Sequence, residues 1–414
     1  LRRGIFGASK SERFEKTEGH HMRDTAQRAF GRLRIPEKNR AILCLDGGGI
    51  RGIMTIQLLK ELEQQAGAPC HQIFDMVAGT STGAIIAGLI ASGRPAVEIE
   101  RLYLSFVTKV FTRRDILANQ FLNPPAWSKA NFRHILKETL GDVTLREVSD
   151  RAGLDCLITA HDVAEGEETF FSYLRERPQN AYASVLLRAA MEASMSAPTY
   201  FTPMERFVDG GTTTYNNPAL AALLEAVQYG SPQYEIGRLT VFSFGTGCRT
   251  QLIAPEQVPN PPGPDVTFWL EWLMTESGND AADMQSDLLR ASRVTSGCDY
   301  RRFQISLDRE AVAKLPDLAL ASVEGSEARR LSELTDKELS LIKLDNVAFF
   351  PVMQTLGSAV VQYLRRHAEE TRRPIFSYDL IDDTSRELLV TRRGDVPRIA
   401  RQMSDPDWVD RLPV

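Results

Sequence analysis

Unbroken apolar runs alternate along this chain with segments whose apolar residues recur every three or four positions. Ala41-Ile42-Leu43-Cys44-Leu45 is continuous and stops at Asp46-Gly47-Gly48-Gly49, the pattern of a strand buried on both faces. Past the glycines, Ile53, Ile56, Leu59 and Leu62 predict a helix over about 51–65. The order then repeats: a run at Ile73–Ala78, a glycine turn at Gly79-Thr80-Ser81-Thr82-Gly83, and a helix at Ala84–Ser92. Strand, glycine turn, helix, twice over, predicts an α/β fold with a mainly parallel central sheet.

Further along, Val97–Phe111 and Asn131–Leu140 read as amphipathic helices, Leu154–Ala160 and Thr169–Tyr173 as strands, and Ser184–Ser194 as a helix ending near Pro198. Leu239–Phe244 is another buried strand, closed by Gly245-Thr246-Gly247. Five prolines between 255 and 264 mark a linker-like stretch, followed by a helix at about 267–292, a strand at Arg302–Leu307 and a helix at about 346–367. Residues 1–40 are polar and basic without sustained periodicity and read as a loosely packed extension. No internal repeat is visible.

Composition narrows the class of function. The 414 residues are 43% hydrophobic and 25% charged, an ordinary globular balance, with a net charge of −5. Residues 1–40 carry eleven basic and five acidic side chains, so the rest of the chain is acidic, which argues against a nucleic-acid duplex as partner. The five cysteines are far apart and lack metal-ligand spacing, as expected of reduced thiols in a cytoplasmic protein without a metal. The most apolar stretch, Ala84–Ala91, falls far short of the roughly 20 residues a membrane-spanning helix needs. The first thirty residues are charged throughout and contain no signal-peptide core.

Two glycine turns carry candidate chemistry. Gly47-Gly48-Gly49-Ile50-Arg51-Gly52 lies between a strand and a helix, so its amide N–H groups converge at a helix N-terminus. Such a cradle suits a pyrophosphate, as in a dinucleotide site, and equally the oxyanion of acyl transfer. Gly79-Thr80-Ser81-Thr82-Gly83 is G-x-S-x-G between strand and helix, the setting that presents a serine hydroxyl above a sheet with a helix dipole behind it. Ser81 is therefore the candidate nucleophile and the first loop the candidate oxyanion hole. A base must accompany it. His161, after the strand 154–160, is one candidate; Asp209, in Phe207-Val208-Asp209-Gly210-Gly211, is the better one, although an Asp-Gly-Gly taken alone reads first as a turn.

Together these motifs resemble those of the patatin-like phospholipase family. Asp46–Gly52, Gly79–Gly83 and Asp209–Gly211 match its three signatures in order. Ala193-Ser194-Met195-Ser196-Ala197-Pro198-Thr199-Tyr200-Phe201 and Phe244-Gly245-Thr246-Gly247 resemble the stretches around them. Asp299–Gln304 is a weaker echo of the family's C-terminal half, and Gly211 stands where many relatives have alanine. The resemblance implies a three-layer α/β/α fold and a cofactor-free Ser81–Asp209 dyad, with Asp209 as general base. It also implies an oxyanion hole from Gly47, Gly48, Gly49 and Arg51, with Gly52, Gly79, Gly83, Gly210 and Gly211 shaping the turns. The implied substrates are phospholipids or other acyl lipids, met at a membrane surface. Bacterial members include effectors switched on by a cyclic nucleotide, which makes residues 1–40 and 251–414 candidate sensor segments. The implied organisation is an extension at 1–40, a catalytic core at 41–250, a C-terminal part of the same domain at 251–364 and an extension at 365–414. The aromatic segment Phe268-Trp269-Leu270-Glu271-Trp272-Leu273-Met274 is a candidate membrane contact as well as a core element. The competing functions are a nucleotide-binding regulator or oxidoreductase using residues 47–52, and a catalytically silent lipid-binding protein. The first needs an acid about 20 residues past the loop, at the end of the second strand, whereas Asp75 falls within that strand.

Overall fold

The computed structural model describes residues 24–110, 129–174, 176–177, 180–198, 200–230, 233–248, 266–291, 297–320, 329–377, 401 and 403–409. Its centre is a sheet built from the apolar runs. Strand β1 (Arg40–Leu45) is buried at five of six positions, and β2 (Met76–Thr80) is buried throughout. Between them runs helix α1 (Gly52–Ala66), stopped by Gly67 in the left-handed conformation, whose N–H closes on the Glu63 carbonyl. β2 begins three residues later than the apolar run suggests. A short 3-10 turn at Cys70–Gln72 holds Ile73 and Phe74, and the Asp75 carboxylate accepts the N–H of Ala41 at 2.8 Å.

Helix α2 (Thr82–Ala91), buried on every side, follows β2 directly, and α3 (Ala96–Val110), α4 (Ala130–Leu140) and α5 (Leu145–Ala152) complete that half. The chain continues through β3 (Asp155–Asp162), β4 (Glu167–Ser172), α6 (Leu187–Ser194), β5 (Phe207–Asp209), α7 (Ala219–Tyr229) and β6 (Leu239–Phe244). After it come α8 (Val266–Arg290), β7 (Asp299–Phe303) and α9 (Phe350–Thr371).

The strand order is β4-β3-β2-β1-β6-β7; the inner pairings are parallel, while β4 and β5 run antiparallel to β3. Side chains of β1 alternate between two cores. Ala41, Leu43 and Leu45 join the larger one, with residues of α1, α2, α3, α6 and α9, whereas Ile42 and Cys44 join the smaller one, with residues of α7. The strand and helix order predicts the mainly parallel sheet, and the three-layer α/β/α arrangement is the one the family resemblance implies.

Two boundaries move outward. Residues 24–33 are helical, and Phe30, Leu33 and Ile35 are buried in the larger core, so this part of the expected extension packs with the core. Helix α9 runs through residue 365, and Ile375 and Phe376 beyond it are buried too. Arg301 ties these ends together by donating to the carbonyls of Leu33, Arg34 and Phe376. The strand expected at Arg302–Leu307 begins earlier, at Asp299, and ends at Phe303. Helix α9 is long and apolar enough, by composition, to cross a membrane, but Met353, Leu356, Val360 and Leu364 are buried in the larger core.

Candidate active site

The register of one strand brings the two expected catalytic residues together. β4 occupies one edge of β3 over residues 157–162, leaving the other edge to be shared. β2 runs parallel along it as far as Thr80 opposite Thr159, and β5 arrives from the opposite direction, with Asp209 opposite Ala160. The two strands therefore end head to head. Ser81, the next residue after β2, donates its Oγ proton to Asp209 Oδ2 at 2.6 Å, although the two lie 128 residues apart in the chain.

The local sequence explains the pose of each partner. Ser81 has φ 54° and ψ −122°, a conformation costly for a residue with a Cβ, and its N–H is held by Ser194 Oγ at 2.8 Å. Gly79 and Gly83 permit this bend: a Cβ on Gly79 would sit 2.3 Å from the Gly83 carbonyl oxygen, and one on Gly83 2.2 Å from that of Leu45. The N-terminus of α2 lies directly behind the hydroxyl, where its dipole favours negative charge. Asp209 is buried, and its Oδ1 accepts the Gly211 N–H at 2.7 Å. Gly210 is required by close approach, since a Cβ there would meet Thr159 Oγ1 at 2.3 Å. Burial pushes the Asp209 carboxyl up to about 6, with the hydrogen bonds from Ser81 and Gly211 opposing the shift.

The glycine loop after β1 is oriented by its carbonyls. Gly47 C=O accepts from Thr246 Oγ1 at 2.8 Å, Gly48 C=O from Arg51 Nε at 3.1 Å, and Gly49 C=O from the Tyr103 hydroxyl at 2.5 Å. In a trans peptide the N–H points opposite to the preceding carbonyl, so these bonds aim the N–H groups of Gly48 and Gly49 away from their anchors. Neither amide has a protein acceptor among the described residues. The N–H of Gly47 is already engaged with the Asn216 carbonyl at 3.2 Å. The Arg51 guanidinium also donates to Gly247 C=O and so braces the loop from below. A Cβ on Gly47 would lie 3.1 Å from Ser81 Cβ, which places the loop against Ser81, and one on Gly52 would strike the Tyr103 hydroxyl at 2.6 Å.

Beneath the loop, Asp46 forms a fully buried, two-pronged ion pair with Arg302 of β7, at 2.7 and 2.5 Å. Arg302 donates further to Ser243 Oγ, which donates to Asn217 Oδ1.

The histidines among the described residues lie elsewhere. Ser81 Oγ bonds Asp209 and lies 3.8 Å from Met195 Sδ, and His161 bonds neither member of the pair. His134 is exposed, beside Glu138, and His367 stacks on Tyr363. Asp75 stands before β2, at the opposite end of the parallel strands from the glycine loop, where it binds the backbone of Ala41 and the side chain of Arg40. That is not the place of a ribose-binding acid. A cleft of about 420 Å³ lined by His71, Arg94, Leu140 and Arg151 opens at the far end of α2, about 15 Å of helix from Ser81, and is no part of this site. Among the described residues no group of three potential metal ligands gathers. The side chains of Phe268–Met274 lie outside the described residues.

Sequence reasoning missed Ser194, Asn216, Arg302 and Tyr103. Ser194 was visible only inside a longer motif, and Tyr103 and Arg302 carry no local signal because their partners are distant in the chain.

Comparison with known proteins finds relatives of part of this chain. The model of the family described as patatin-like phospholipase matches residues 43–223. The 85/88 kDa calcium-independent phospholipase A2 of Rattus norvegicus is 30% identical over 233 residues, 51% of this chain and 28% of that protein. The cGAMP-activated phospholipase of Escherichia coli strain TW11681 is 29% identical over 50% of this chain and 61% of its own length. The cUMP-AMP-activated phospholipase of Escherichia coli is 31% identical over 45% and 58%. The match thus spans less than two thirds of each of these relatives.

Proposed function

Residues 43–223 belong to the patatin-like phospholipase family, and on that premise we propose that this chain hydrolyses carboxylic esters of membrane lipids, with Ser81 as nucleophile and Asp209 as its base. The observation that carries the reading is the 2.6 Å contact between Ser81 Oγ and Asp209 Oδ2, beside two loop amides that have no acceptor among the described residues. In the proposed reaction Asp209 takes the hydroxyl proton as Oγ attacks the ester carbonyl carbon. The resulting oxyanion falls to the N–H groups of Gly48 and Gly49, with Arg51 holding the loop in place. Collapse expels the lipid alcohol, which takes the proton back from Asp209, and water then cleaves the acyl-enzyme by the same steps. An ordinary aspartate is a weak base for a hydroxyl; burial, by raising its pKa to about 6, narrows that gap.

The same proposal places the enzyme at the cytoplasmic face of a membrane, with Trp269 and Trp272 as contacts. Replacing both with serine is expected to lower sedimentation with anionic vesicles, and unchanged binding removes this part. The two bacterial relatives are named for activation by cyclic nucleotides, and we extend the reading to such an activator. Hydrolysis indifferent to a panel of cyclic dinucleotides ends that extension.

The decisive experiment is mass spectrometry of a defined phospholipid incubated with wild-type protein and with Ser81→Ala. Release of fatty acid by the wild type alone is expected. Equal release by both, or by neither across diacyl and lyso substrates with and without those nucleotides, removes the proposal.

A further inference from the structure

A buried lysine lies next to the dyad without taking part in it. Lys129, immediately before α4, is 6% exposed, and its ammonium donates to Ser196 Oγ at 2.6 Å. It also lies 3.4 Å from Glu192 Oε1 on α6, a carboxylate whose side chain is only 6% exposed. Ser196 Oγ in turn donates to the Glu192 carbonyl at 2.7 Å, closing the last turn of α6 with a side chain. A cation at this point also complements the negative end of that helix.

The turn held this way touches both catalytic residues through their backbones. Ser194 Oγ receives the Ser81 N–H at 2.8 Å, and the Ser196 carbonyl receives the Asp209 N–H at 3.1 Å. These two bonds flank the contact between Ser81 and Asp209, and the first holds a residue in a strained conformation.

Resting on the proposed dyad, we propose that Lys129 is a positioning residue: its ammonium, bound to Ser196 and Glu192, locks the 194–196 turn on which Ser81 and Asp209 are both hung. Lys129 touches neither reacting atom. The charged groups facing it are Glu192 on α6 and Arg133 on α4. Arg133 binds both oxygens of Glu192, so neutralising Lys129 leaves that carboxylate paired and the fold supported.

The test uses Lys129→Met, which keeps length and removes charge, and Ser196→Ala, which removes only the bonded hydroxyl. On a defined phospholipid each is expected to lower kcat about tenfold or more with KM little changed, because small displacements of reacting groups are costly in rate. The double variant is expected to be no slower than the slower single, as for groups acting as one unit. Burial pulls the Lys129 pKa below its ordinary value, against the opposing pull of Glu192. Activity that needs the ammonium therefore falls on the alkaline side, and this fall is expected to vanish in Lys129→Met. Native-state hydrogen exchange is expected to speed up at the amides of Ser81 and Asp209 in both variants. Wild-type kcat in Ser196→Ala, or in folded Lys129→Met, overturns the inference, as does unchanged exchange at both amides. If Lys129→Met does not fold, Ser196→Ala decides alone. A wild-type protein without Ser81-dependent hydrolysis overturns the functional reading instead, and the exchange data still decide the role of Lys129.

Discussion

At the scale of single residues, Asp209 links chemistry to stability. Its carboxyl binds a proton more tightly in the folded chain, where its pKa is about 6, than in an unfolded chain, where it is near 3.8. In its proposed role as base it must be deprotonated, so kcat/KM is expected to fall as pH drops through about 6, a limb read from a pH–rate profile. The stability sign is opposite: a raised folded pKa contributes stability that is complete below the unfolded value and is lost as pH rises through the folded one. At neutral pH the buried charge costs on the order of 3 kcal/mol. Asp209→Asn is therefore expected to abolish hydrolysis while melting no lower than the wild type at pH 7.5, with any gain shrinking toward pH 4. A clear loss of melting temperature at neutral pH would contradict this account. Ser81 stood out as a candidate between Gly79 and Gly83, whereas Asp209 did so only through the family resemblance, because Asp-Gly-Gly taken alone marks a turn. Their contact was not legible in the sequence, since it depends on the registers of two strands against a third.

Among elements, the glycine loop and β7 differ in how far sequence reveals them. Gly48 was visible, yet its tolerance is set by a neighbour from another strand: an added Cβ would lie 2.1 Å from Thr246 Oγ1. Gly48→Ala is expected to cost about 1–3 kcal/mol in denaturant unfolding and to disable the proposed oxyanion amides; because the Thr246 Cβ would itself lie 2.5 Å away, Thr246→Ala is expected to leave the clash in place and only Thr246→Gly to relieve it. β7 was misplaced because Asp-Tyr-Arg-Arg-Phe reads as surface until Asp46 is known to receive Arg302. Removing one partner of such a pair leaves a buried charge, so Arg302→Met is expected to destabilise by about 3–5 kcal/mol. Helices α5 and α7 escaped for different reasons. The first offers only Leu145 and Val148 as apolar anchors, and the second is mostly small apolar residues without a polar face to mark its period.

For the molecule as a whole, the stretch matched to the family is not the folding unit. β7 pairs with β6, α9 packs with α1 in the larger core, and Phe376 meets the rings of Phe244 and Phe303 at 5.8 and 5.2 Å. Phe376→Ala is expected to lower unfolding free energy by about 3–5 kcal/mol. A chain ended at residue 250 lacks β7, α9 and the partner of Asp46, and is expected to lose cooperative unfolding by calorimetry. Retention of a sharp transition in that fragment would show that residues 41–250 suffice. The sequence implied the central sheet and both glycine turns across this span. It left the ends as extensions because Phe30, Leu33 and Phe376 are isolated among charged residues, with no period to betray them.

The head-to-head meeting of β2 and β5 on β3 has a practical corollary for anyone re-engineering this scaffold. Because a single strand acts as the gauge block between the two reactive groups, the connecting chain carries no metric information. Foreign loops grafted at the exposed glycine bends of Gly93 or Gly166 should leave turnover intact, whereas sliding β3 by one residue should extinguish it.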